Sequence, residues 1–160
     1  MTIKHPTASV FLFAPTVSGW RLGLIQHPRF HRWMLPGGHV EPDENPAETA
    51  RREVEEETGL QAELLACPRL AAPGRIDQQV VPLPLWIIEE HVPPERRQPS
   101  DHIHVDFLYA ATTRLDTPRV TGELRSGWFA PNQLDGLGLF DDTLLLAHEL
   151  SVQLPALIEG

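Results

Sequence analysis

Residues 38–60 read GHVEPDENPAETARREVEEETGL, and local chemistry fixes their conformation. Asn45 is a strong N-cap and Pro46 suits the first helical position. Glu48 falls where a capping-box carboxylate reaches back to the cap's own N–H. Gly59 supplies a left-handed stop, so the spacing predicts a helix over 46–58, roughly three and a half turns. On it Glu53, Glu56 and Glu57 stand at i, i+3 and i+4, one face, while Ala47, Ala50 and Val54 make a small apolar stripe suited to lying close against a sheet. Arg52 is four residues from both Glu48 and Glu56 and is expected to bridge them.

Charge runs are usually solvated helix faces. Here that reading is energetically poor, because like carboxylates ~6 Å apart repel by about 0.7 kcal/mol in water and about 3 kcal/mol at an effective dielectric constant of ~20. Three of them make three such pairs, and something positive is expected among them. Hard oxygen ligands on a helix suit Mg²⁺ or Mn²⁺, which such sites share with substrate phosphates.

The stretch resembles the signature of the Nudix hydrolases at every specified position: Gly38, five residues, Glu44, seven residues, Arg52-Glu53-Val54-Glu55-Glu56-Glu57-Thr58-Gly59-Leu60. Nine fixed or class-restricted positions at set spacing are far more specific than a lone glycine motif. The resemblance implies an α/β fold, an α/β/α sandwich with a mixed β-sheet. It also implies metal-dependent hydrolysis of a pyrophosphate bond in a nucleoside diphosphate linked to another moiety. It further implies metal ligation by Glu53, Glu56 and Glu57 with a backbone carbonyl at Gly37 or Gly38, and a general base that is either Glu53 or Glu123. Glu44 and Arg52 are expected to orient the ligands. Dimerisation is common in the family, but nothing in the sequence fixes an oligomeric state. Two other readings use the same fold. One is a nucleotide- or metabolite-binding sensor without turnover, disfavoured because all three box carboxylates are present. The other is isoprenoid diphosphate isomerisation, disfavoured because no cysteine stands beside a glycine turn.

Working outward, 160 residues at 41% hydrophobic content predict a single domain over 1–160. The net charge is −9, and residues 41–57, with eight acids and two arginines, hold −6 of it. The acidity is therefore concentrated at the box, and binding to a nucleic-acid duplex, which needs basic patches, is disfavoured. The apolar run at 8–14 is too brief to span a membrane and reads, with 20–25, as two strands and a turn. A cytoplasmic, membrane-free protein is expected. Cys67 has no partner for a disulfide or a zinc pattern and reads as a buried thiol.

Arg29 to Leu35 leads into the Pro36-Gly37-Gly38 turn, where Trp33 and Leu35 are expected in the core and Arg29, His31 and Arg32 are candidate phosphate contacts. Strands are expected over 61–70 and 80–92, the latter edge-like because of Pro82 and Pro84. A loop over 93–100 is a candidate lid. His102, His104 and Asp106 alternate with Ile103, Val105 and Phe107 and share a strand face. Three roles remain open for them: lining the substrate cleft, binding a soft divalent metal, or forming a polar layer beneath the second helix. Glu123 lies shortly before the Trp128-Phe129 strand. A last helix is expected from Asp141 or Asp142 to about Leu154, with Leu145, Leu146 and Leu150 towards the sheet.

Overall fold

The computed structural model describes residues 2–66, 78–94, 98–116 and 121–159. Two long strands form its spine: β1 (Lys4–Thr16) runs parallel to β7 (His102–Thr112), with Lys4 opposite Ile103 and Phe13 opposite Thr112. Every other pairing is antiparallel, so the sheet is mixed. The far end of β1 pairs with β2 (Gly19–His27), which carries β3 (Arg32–Met34) and β8 (Ser126–Phe129) along its other edge. The near end of β1 pairs instead with β4 (Gly37–His39), placing Gly37 opposite Ser9 and Gly38 opposite Ala8. On the other side β7 is flanked by β5 (Glu63–Leu64) and β6 (Trp86–Val92).

Strand alternation divides the core in two. Ala8, Val10 and Leu12 of β1 with Tyr109 and Ala111 of β7 meet Ala47, Ala50 and Val54 of α1 (Pro46–Thr58). Phe11, Phe13, Leu22, Leu24 and Leu108 meet Ala147, Leu150 and Leu154 of α2 (Asp141–Glu159) on the opposite face. A helix on each face of one mixed sheet is the sandwich expected above.

Several boundaries differ from expectation. The 61–70 strand shrinks to Glu63–Leu64, while Leu70 and Cys67 lie outside the described residues. Strand β6 begins at Trp86, because Pro82 and Pro84 have no N–H for a ladder. Helix α2 continues through Pro155 to Glu159, and Leu145, placed towards the sheet by the sequence, is 70% exposed while Leu150 is buried. Part of the 93–100 loop also falls outside the described residues. Among the described residues no helix is long and apolar enough to cross a membrane.

Candidate active site

The frame of the site is the start of α1. Asn45 Oδ1 accepts from the N–H groups of Ala47 (3.0 Å) and Glu48 (3.1 Å), and Glu48 Oε2 accepts from Asn45 N–H at 2.8 Å, completing the capping box. At the other end Gly59 adopts φ 72° and its N–H reaches Glu55 O. Ala47, Ala50 and Val54 are fully buried against β1, so the helix cannot roll, and the opposite face must carry Glu53, Glu56 and Glu57.

Arg52 orders that face with one of the two partners read from spacing, Glu56, but not with the other. Glu48 is held by the cap and takes no part; Glu44 replaces it. Arg52 Nε and Nη2 grip the two oxygens of Glu44 at 2.6 and 3.0 Å, a bidentate fork, and Nη2 also donates to the carbonyl of His39 at 3.2 Å. Nη1 donates to Glu53 Oε1 (2.7 Å) and to Glu56 Oε2 (3.1 Å), so these two oxygens converge on one point. The Arg52 guanidinium, with help from the Thr49 hydroxyl, holds the Glu44 carboxyl down at about 2, and its carboxylate partners in turn raise Arg52.

Glu57 is treated differently. Its Oε2 accepts from Gly37 N–H at 3.1 Å, while burial first, then repulsion from Glu53, Glu123 and Glu56, pushes its carboxyl up to about 8. Glu53 is raised too, by burial, against the pull of Arg52. A Cβ at Gly38 would lie 2.2 Å from Glu53 Oε1, so any larger residue there would push the Glu53 carboxylate out of this position. As placed, no group of three His, Cys, Asp or Glu side chains among the described residues is arranged to hold a metal ion; the box carboxylates engage Arg52 and the Gly37 N–H instead.

Glu123 joins the cluster through its backbone. The N–H groups of Glu123 and Leu124 donate to the carbonyls of Glu56 (2.8 Å) and Glu57 (3.1 Å), closing orphan acceptors in the last turn of α1. A Cβ on Gly122 would sit 2.4 Å from the Glu57 carbonyl oxygen, so only glycine permits that approach.

The remaining sequence candidates lie elsewhere. Arg29 occupies the turn between β2 and β3 with its guanidinium over Phe30, and Arg32 stacks on Phe140 and donates to Gly138 O. His31, Arg32, Trp33 and Phe140 line a hollow of about 400 Å³ there. His102 and His104 pack against His5 and His39, while Asp106, bonded by the Thr7 hydroxyl at 2.9 Å, faces the α2 side. There it lines a cavity of about 90 Å³ with Glu90, Asp142, Phe11, Trp33 and Phe140. Glu90 and Asp142 escaped the sequence reading, although the alternation of β6 and the acidic start of α2 were available as signals. The Gly37 N–H and the Thr49 hydroxyl, which carry no acid–base label, were missed as well.

The NUDIX domain model matches residues 3–147. A protein named "Probable DHNTP pyrophosphohydrolase" from Lactococcus lactis subsp. cremoris is 33% identical over 89 residues, covering 56% of this chain and 45% of that protein. The asymmetrical bis(5'-nucleosyl)-tetraphosphatase of Rattus norvegicus is 57% identical over 35 residues, 22% of this chain and 24% of its own length. The matches thus span under half of these relatives. Among solved structures, a NUDIX-family hydrolase from Clostridium perfringens superposes with a TM-score of 0.69 at 25% identity, covering 94% of this chain and 97% of that one.

Proposed function

Because the chain belongs to the NUDIX family, we propose that it is a single-domain, metal-dependent hydrolase that cleaves a pyrophosphate bond in a nucleoside diphosphate linked to another moiety. The observation that carries this is the gathering of Glu44, Glu53 and Glu56 around the guanidinium of Arg52, with Glu57 beside them close enough to feel the charges of Glu53, Glu56 and Glu123. The pyrophosphohydrolase and tetraphosphatase names of the relatives support the same bond type.

The donor set fits a hard divalent cation. It is all oxygen, and Glu57 sits in a site that resists its charge until positive charge arrives. Nudix hydrolases generally use divalent ions, and for this chain the proposed ion is Mg²⁺ or Mn²⁺, held by Glu53, Glu56, Glu57 and the Gly38 carbonyl. When bound it supplies charge neutralisation on the phosphate oxygens and the leaving group. The chain's own residues do the rest. Arg52, locked by Glu44, restricts the rotamers of Glu53 and Glu56 and so keeps their carboxylates on one side of the helix. The Gly37 N–H orients Glu57, and the 122–124 backbone hangs Glu123 beside it. The water's proton goes to Glu53 or Glu123, both on the rim of the cluster.

The test is phosphate-coupled turnover against nucleoside triphosphates, dinucleoside polyphosphates, nucleotide sugars and ADP-ribose, with Mg²⁺ or Mn²⁺ and with chelator. Expected is hydrolysis of one class, lost in chelator. Silence across the panel, with nucleotides still raising the melting temperature, would overturn the enzyme reading in favour of a binding module. Glu53→Gln and Glu123→Gln then separate the two candidate bases, since loss of the base removes the acidic limb of the pH–rate profile.

A further inference from the structure

Four histidines from three strands meet at the start of the β1–β7 pair, on ground that the hydrolase reading does not use. His5 comes from β1, His39 from β4, and His102 and His104 from β7. Their rings close a circuit, with centroids 5.3 Å apart for His5 and His102, 4.9 Å for His102 and His104, 4.8 Å for His104 and His39, and 5.9 Å for His39 and His5. Such a gathering is not a packing device, because apolar side chains would fill the space without four polar rings to satisfy.

The tautomer of the deepest ring can be read directly. His102 is 1% exposed, and its Nδ1 lies 3.1 Å from the carbonyl of Ser100, which can only accept; Nδ1 therefore carries the proton. In the neutral ring Nε2 then presents its lone pair into the circuit, 3.1 Å from Nε2 of His104. A backbone carbonyl on Nδ1 with Nε2 turned inward is how metal-binding histidines are commonly oriented. Independently, Nε2 of His5 is buried and has no hydrogen-bond partner among the described residues. Burying such an orphan is unfavourable unless something satisfies it.

We propose that His5, His39, His102 and His104 form a binding site for a late first-row divalent ion, with Zn²⁺ as its reference occupant, separate from the carboxylates of α1. Distances decide for this. With Zn–N bonds of about 2.0–2.1 Å, tetrahedral ligand nitrogens stand about 3.4 Å apart and imidazole centres about 5 Å apart. The nitrogen pair at 3.1 Å stands slightly inside that spacing, and the ring centres, 4.8 to 5.9 Å apart, bracket the tetrahedral value. As placed, no three donors among the described residues surround one point, so an ion would have to close the set by turning the rings of His5, His39 and His104 about their side-chain torsions. All-nitrogen ligation selects Zn²⁺, Co²⁺, Ni²⁺ or Cu²⁺ and rejects Mg²⁺, so the two centres are told apart by metal softness.

Co²⁺ is the probe, because tetrahedral nitrogen ligation gives intense visible bands and octahedral oxygen ligation only faint ones. Chelator-stripped full-length protein is expected to take up one equivalent of Co²⁺ with the intense spectrum, displaced by Zn²⁺ and unaffected by excess Mg²⁺. His5→Gln and His104→Gln, both at partly exposed positions, are expected to stay folded by circular dichroism. Each should weaken Zn²⁺ binding at least tenfold in chelator competition, while Glu57→Gln leaves it unchanged. Absence of the tetrahedral spectrum in the unmodified protein would overturn the proposal and leave a His104-to-His102 hydrogen bond as the reason for the contact. Undiminished Zn²⁺ affinity in folded His5→Gln and His104→Gln proteins would overturn it equally, as would loss of the spectrum in Glu57→Gln.

Discussion

Each face of the sheet carries a group of partly buried carboxylates, and the two groups are stabilised by different means. On the α1 side Glu44, Glu53 and Glu56 close around Arg52, and Glu57 takes a backbone N–H. On the α2 side Glu90, Asp106 and Asp142 line one cavity, where the donors to Asp106 are the hydroxyls of Thr7 and Ser9. No guanidinium is bonded to them among the described residues. Burial, then Asp106 and Asp142, push the Glu90 carboxyl up to about 7, and burial raises Asp106 as well. A guanidinium lets its neighbours stay ionised and offer charge to a cation. The hydroxyls bring no formal charge, so burial outweighs them at Asp106, and Glu90 is raised with no cation to oppose it. The α1 face therefore holds a fixed cation among its carboxylates, which the α2 face lacks among the described residues, while burial raises Glu57 on the one face as it raises Glu90 on the other.

Exchanging one carboxyl on each face tests this contrast most severely. Glu57→Gln is expected to lower kcat by about 10²–10³-fold, the usual scale for one pre-organised electrostatic group, with the fold intact by circular dichroism. Glu90→Gln should leave kcat in place in the same assay, and equal losses in the two variants would dissolve the distinction.

The next effect in size concerns Arg52. Its fork to Glu44 is largely shielded on both sides, the side chains being 26% and 17% exposed. Arg52→Ala strands Glu44 and Glu53 together and should reduce stability in urea by about 2–3 kcal/mol, somewhat below the range for fully buried pairs. Arg52→Lys recovers the charge without the fork and should regain less than half. A wild-type urea midpoint for Arg52→Ala would show that the lattice is ornamental.

Titration separates the faces by pH. Glu90, ordinarily near 4.5, is raised to about 7, so its contribution to stability is complete below pH 4.5 and is lost as pH rises through 7. Glu57 acts in the same direction up to about 8. After discounting for solvent screening, each is worth about 1 kcal/mol. Chelator-treated protein should therefore weaken steadily from pH 4.5 to 8. Glu90→Gln should remove the segment ending near 7, and Mg²⁺ should flatten only the later one. A slope that Mg²⁺ erases entirely would assign all of it to the α1 side.

The smallest expected effect is local to the α1 frame. Asn45→Ala removes the acceptor for two N–H groups and should cost about 1 kcal/mol, leaving the Glu90 segment of the pH curve untouched. A change in that segment would mean that the two faces are coupled through the sheet.

Legibility in the sequence followed the range of the interactions. Helix α1 could be read to the residue because Asn45, Pro46, Glu48 and Gly59 act within a turn of themselves. The co-facial Glu53, Glu56 and Glu57 followed from helical spacing. Arg52 was given Glu56 correctly and Glu48 wrongly, although the capping box already claimed Glu48, because helical spacing cannot show that Glu44, outside the helix, folds back to take its place. The ends of β6 and α2 were misjudged for a similar reason: Pro82 and Pro84 stop a ladder outright, whereas Pro155 is carried by a helix that Leu150 and Leu154 anchor. His102 and His104 were visible as a strand pair, but His5 and His39 reach them only through strand pairing across the chain, which no local pattern records.

The attachment of Glu123 has a consequence for how this chain can change. Its position is set by two hydrogen bonds from the 123 and 124 N–H groups to the end of α1 and by the bare Cα of Gly122. The last turn of the helix thus doubles as an anchor for a carboxylate that comes from a distant part of the sequence, so any change that frays the C-terminal end of α1 should move Glu123 as well.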